Sequence, residues 1–170
     1  VWVASNVKPS MVFRHDPTTG ECLAALHLPN ATEGGVHGIL WRPFELGVAP
    51  LPAPPKAPEL FPTAHGGALN DGPGVSGTLW VTRPGTLVID HIDAETADVL
   101  GQVPFPVTRS HGLYWEDDTL VVVETNHNHV YRLDPKDGTV LDEWRIVGVP
   151  EAHALTRDAH GRVWIGDAST

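Results

Sequence analysis

The sequence predicts an all-β protein: a β-propeller built from four-stranded blades. Three observations carry this. Similar segments recur with a period of about 41 to 43 residues, as Trp80, Val121 and Trp164 do, and as His111 and His153 do. Each repeat divides into four short runs that alternate in polarity or are rich in β-branched and aromatic residues, with Gly, Asp and Pro between them. No segment carries a helical period.

Taken in chain order within a repeat, the first run (A) is His-Gly followed by apolar residues: "VHGILWRP" at 36–43, "SHGLYWED" at 110–117 and a third copy, "AHALTRDAHG", at 152–161. The second run (B) is "VWVASN" at 1–6, "TLWVTRPG" at 78–85, "TLVVVETN" at 119–126 and "RVWIGDAS" at 162–169. The third (C) is "MVFRHDPTTG" at 11–20, "LVIDHIDAETA" at 87–97 and "HVYRLDPKDG" at 129–138. Asp16, Asp93 and Asp134 start the turns that end it, and in two of them, Asp-Pro-x-x-Gly at 16–20 and 134–138, Pro presets φ and Gly takes the left-handed position. The fourth (D) is "ECLAALHL", "DVLGQVPF" and "TVLDEWRI". The order is B-C-D, A-B-C-D, A-B-C-D, A-B, or thirteen strands. Roughly three blades are fewer than the four to eight of known propellers. The expectation is an incomplete chain, a partial propeller over residues 1–170, with the missing blades supplied by the rest of the chain or by another chain.

One segment interrupts the period. Residues 44–77 are proline-rich and lie between runs A and B of one blade. Proline at this density cannot serve a β-ladder, so the segment reads as an insertion, either a passive loop or a lid or partner-binding arm.

The formal net charge is −10 with histidines neutral, which predicts a soluble surface that repels nucleic acid and anionic membrane. No apolar run approaches the roughly 20 residues of a membrane span. The single Cys22 excludes an internal disulfide and a multi-cysteine zinc site, and it leaves the compartment open. The chain opens inside an apolar run, Val1-Trp2-Val3, without an initiator Met, which predicts a processed or truncated chain.

In an antiparallel blade the D-to-A and B-to-C connections share one face, and run A lies innermost. The starts of A, carrying His37, His111 and His153, should therefore meet the ends of B, carrying Ser5, Arg83, Glu124 and Asp167, on one rim of the central channel. The cluster Asn126-His127-Asn128-His129 is a B-to-C loop over the same face. Two accounts of the histidines stand on sequence alone. Each can close the channel and bond to a neighbouring blade. As a set facing solvent, they can form a site, because three buried polar groups without partners are costly. The recurring Trp2, Trp80 and Trp164 are expected in the interblade core, and His15 and His91 on exposed positions of C.

These repeats resemble the propellers of streptogramin B lyase, of gluconolactonase and its senescence-marker relatives, and of NHL and YVTN repeat proteins. The resemblance covers nearly the whole chain except 44–75. It implies a small-molecule substrate and a metal-assisted hydrolase or lyase acting on a lactone or similar cyclic ester. By position, Glu124, Asn126 and Asp167 resemble the residues that hold a divalent cation, Mg or Ca, at the channel mouth of the gluconolactonase-like members. His111 or His153, with His37 beside them, resemble the general base of the lyase-like members. Arg83 stands where an acid or Asn is usual and suits a substrate carboxylate, with His127 and Asn128 as further substrate contacts. The alternative within the same group is a non-catalytic binding or scaffold module.

Overall fold

In a computed structural model, residues 1–5, 10–28, 35–43 and 77–169 are described. They hold thirteen strands and no helix, and no helix is long and apolar enough to cross a membrane. The first sheet is β1 (Trp2–Ser5), β2 (Met11–His15) and β3 (Cys22–His27). The second is β4 (Gly38–Pro43), β5 (Gly77–Thr82), β6 (Val88–Asp93) and β7 (Val99–Pro104). The third is β8 (Ser110–Glu116), β9 (Thr119–Glu124), β10 (His129–Leu133) and β11 (Val140–Arg145). The last pair is β12 (Ala152–Arg157) and β13 (Val163–Asp167). Every pairing is antiparallel between strands adjacent in sequence. These sheets are propeller blades standing side by side, and the ring they describe is not closed. The proline-rich insertion lies outside the described residues apart from Gly77. Gly77, its last residue, pairs with Pro43, the residue just before the insertion.

Blades pack face to face, so a central strand has two buried faces and reads as a continuous apolar run. In β9 alternate residues divide between two cores. Leu120 and Val122 join Trp80, Ile89, Val103 and Phe105 of the preceding blade. Val121 and Val123 turn the other way, towards Ala152 and Leu155. A further core unites Val12, Leu28 and Val36 with Leu79, Val81 and Ile92. Trp80 is buried as expected, whereas Trp164 is 56% exposed because no described sheet covers its face. His91 is not exposed: it stacks on Trp80, ring centroids 4.1 Å apart.

The C-to-D turns form as the sequence requires. Asp16 Oδ1 accepts the Thr18 and Thr19 amides, Asp93 Oδ1 those of Glu95 and Thr96, and Asp134 Oδ1 that of Lys136. Gly20, Ala97 and Gly138 close the three turns at φ 75, 63 and 77°.

At the axis the inner strands approach backbone to backbone. A Cβ on Gly38 would fall closer than 3.0 Å to the His111 carbonyl oxygen and Thr82 Oγ1. One on Gly112 would fall as close to the Leu155 amide nitrogen. Such overlap with main chain cannot be relieved by a rotamer change. Gly112→Ala is therefore expected to lose about 3 kcal/mol or more, read as a lower urea midpoint. Gly101→Ala meets nothing within 4 Å and should leave the unfolding free energy within about 0.5 kcal/mol of the parent.

Candidate functional site

The close approach at Gly38 and Gly112 has a consequence for the residue before each glycine. His37, His111 and His153 immediately precede Gly38, Gly112 and Ala154, and their small neighbours occupy the contacts between inner strands. Ring centroids lie 3.8 Å apart for His111 and His153, 4.8 Å for His37 and His111, and 5.5 Å for His37 and His153. One ring nitrogen from each lies within 4.8 Å of the others. Pairing slips between Ser110 and Leu113, and again between Ala152 and Ala154. His111 and His153 thus sit in β-bulges, which re-aim side chains out of the regular pleat.

His111 is only 1% exposed, and its environment dictates its tautomer. Nδ1 lies 2.9 Å from the Arg109 carbonyl oxygen and 2.5 Å from Thr125 Oγ1. A carbonyl can only accept, and the Thr125 hydroxyl donates its own hydrogen to the Ala152 carbonyl at 2.8 Å. Nδ1 therefore carries the proton, and the lone pair is on Nε2. Burial pushes His111 down to about 3, helped by charge on His153 and His37 and opposed by the bond to Arg109. Burial also lowers His37, followed by repulsion from His153 and Arg109. Both are neutral at pH 7.

Arg109 and Thr125 carried no signal in the sequence. Arg109 matters through its main chain: at φ 66° its carbonyl turns inward to receive both His111 and the Thr125 amide. Its guanidinium reaches Glu151 at 3.2 Å.

The acids at the ends of B strands close turns. Glu124 is wholly buried; its Oε1 accepts the Asn126 amide at 2.6 Å, and its Oε2 accepts the His127 amide at 3.0 Å with His127 Nδ1 at 3.3 Å. Asp167, at the equivalent place, accepts the amides of Ser169 and Glu151 at 3.0 and 3.1 Å. Those amide bonds, Ser169 first, hold its carboxyl below the usual range. Glu124 is sealed beneath its own turn, Asn126 is engaged there through its backbone and Asp167 caps an exposed edge. Arg83 is 3% exposed and ion-paired with Asp90, which also accepts from Gln102 at 2.8 Å. Asn128 ties two loops together: its Nδ2 donates to the Val149 and Pro150 carbonyls, both at 3.0 Å, and its Oδ1 accepts the Ala152 amide at 2.8 Å.

Radially outward on the same rim lies a shallow cavity of about 420 Å³ lined by Asn126, His127, Asn128, His129 and Arg145. Strand register explains its place. Ser110 pairs with Glu124, Glu124 with His129, and His129 with Arg145, a single row running outward from the residue before His111.

No protein-family model matches the chain, and no curated protein matches it. Among solved structures, the Kuenenia stuttgartiensis hydrazine synthase is similar over 54% of this chain and 26% of that chain, at 16% identity and a TM-score of 0.45.

Two outcomes follow from this geometry. A histidine held at about 3 when folded and near 6.5 when unfolded takes up a proton on unfolding, so its stabilising effect is full above pH 6.5 and is lost as pH falls towards 3. In chelator-containing buffer the melting temperature should fall from pH 6.5 to about 5.5, above most carboxylate titration, and His111→Asn should flatten that slope. Asn128→Ala removes three hydrogen bonds and should cost about 2–3 kcal/mol in urea unfolding.

Proposed function

We propose that the axial histidine rim is a reactive centre that opens a lactone or similar cyclic ester, as a hydrolase or a lyase. The observation that carries this reading is the convergence of His37, His111 and His153, with His111 fixed as a neutral imidazole whose Nε2 lone pair is not used by the fold.

Opening a cyclic ester needs a basic centre. In hydrolysis, water adds to the ester carbonyl as its proton is taken up, and the ring oxygen then leaves with a proton. In a lyase, a proton is taken from the carbon next to the one bearing the ring oxygen, and that C–O bond breaks. Imidazole can take a proton at one moment and return it at the next. His111 is buried and anchored, so it orients its neighbours. His37 and His153 are half-buried and reachable from the channel, so they meet the substrate. The outward cavity lies about 10 Å from the axial strand, two strand spacings away, and suits the substrate's body. Arg145 and His129 there are better placed for an anionic group than Arg83, which is engaged with Asp90.

A non-catalytic binding module is the second reading. It is favoured by the use of Glu124, Asp167, Arg83 and Asn128 in bonds that close turns and join loops.

A panel of five- and six-membered lactones separates the two. The catalytic reading expects turnover of at least one, reduced about 100-fold or more in His153→Ala with the melting temperature unchanged. Absence of turnover across the panel, or a His153→Ala rate equal to the parent's, would sink it in favour of the binding module.

A further inference from the structure

A single imidazole suffices to take up a proton; the axis presents three, from three different blades, aimed at one point. We infer that His37, His111 and His153 form a binding site for one divalent transition metal of zinc's class, with a fourth position open to the channel. This rests on the reading of the axial rim as the working centre. It changes what the imidazoles do there: their lone pairs hold an ion rather than a proton.

Four features of the molecule point the same way. The first is reach. The three donor nitrogens lie within 4.8 Å of one another, and a tetrahedral ion with metal–nitrogen bonds of about 2.0–2.1 Å draws them to about 3.3 Å. His37 and His153, both half-buried, are the two rings that would close that difference. The second is the outer hydrogen bond. Metal-bound histidine typically donates its other ring N–H to a carbonyl, which fixes the ring and makes the ligating nitrogen a better donor. His111 already does this through Nδ1–H to Arg109, leaving Nε2 for the ion. The third is the backbone. Of the three inner strands, β8 and β12 depart from regular pairing, at the two histidines whose rings are closest together. The fourth is ligand chemistry. Three imidazole nitrogen donors with no carboxylate among them select zinc, cobalt or iron(II) over magnesium and calcium, which require oxygen. An ion held by three protein nitrogens keeps a water in its open position and lowers that water's pKa towards neutrality, the form of activation that ester opening needs.

The test is metal binding by the purified chain, stripped with chelator and titrated with Co²⁺ and Zn²⁺ at pH 7.5. Calorimetry should show one saturable equivalent. Co²⁺ should develop the intense visible absorption of a tetrahedral site and lose it when Zn²⁺ is added, and excess Mg²⁺ should leave it unchanged. His37→Ala and His153→Ala alter half-buried residues and should keep the fold, shown by an unchanged circular dichroism spectrum and melting curve in chelator. Each should weaken binding by at least about 100-fold. His160→Ala, at an exposed position, serves as the control and should bind as the parent does. No saturable Co²⁺ or Zn²⁺ site, or a site that survives both His37→Ala and His153→Ala, would overturn the inference. Binding is read apart from turnover, so a chain that binds zinc at these residues yet opens no lactone retains the metal site and loses only the proposed reaction.

Discussion

The structure depends on how closely two inner strands approach. At Gly38 and Gly112 the main chain of one blade lies against that of the next, and a methyl group does not fit between them. That contact sets the blade spacing at the axis. Further out, larger side chains fill the space between the sheets, Trp80, Phe105 and Tyr131 in one core and Ile146 in the next. Small residues at the centre and large ones towards the periphery give the taper a propeller needs. Bringing the strands together also gathers the residue that precedes each small one. All three of these residues are histidine, and their rings meet at the mouth of the channel.

The surrounding rim is stiffened by polar groups that complete one another. A buried carboxylate such as Glu124 is costly unless hydrogen-bonded, and its own turn supplies the amides. Asn128 ties that turn to the loop leading into β12 through three bonds, and Thr125 joins His111 to the Ala152 carbonyl. The loops that carry His111 and His153 are thus held to each other, in part through the His111 ring. A centre supported in this way loses little order when it takes a ligand, the general requirement for precise binding.

Charge adds a second effect at longer range. The chain carries a formal charge of −10, yet the rim at the axis is built of imidazoles, two of them neutral at pH 7. An acidic protein concentrates cations near its surface, and the proposed site at the axial rings would draw on that field. The side chains of Arg109 and Arg83, which would oppose this, are each drawn to an acid, Glu151 and Asp90. Arg145, His127 and His129 lie together on the outward part of the rim.

Strand order, turns and repeat were legible in the chain because they are local. Alternation within five or six residues marks a strand, and Asp16, Asp93 and Asp134 announce the turns that follow them. The meeting of the three histidines was also legible, since equivalent positions of a repeat face a common axis. What each polar side chain does was not. Glu124 and Asp167 read as metal ligands and Arg83 as a substrate contact, but their partners are turn amides and the carboxylate of Asp90. His91 read as exposed and stacks on Trp80, while Arg109 and Thr125 gave no sign of their part in orienting His111. The sequence by itself determined the strands, the blades and which residues share a rim, because those follow from periodicity and from the conformational limits of Gly, Pro and Asp. Only the tertiary structure decided ring orientation, protonation and hydrogen-bond partners, because these depend on contacts between different turns and strands, many of them about forty residues apart, and on a main-chain φ at Arg109 that no residue type dictates.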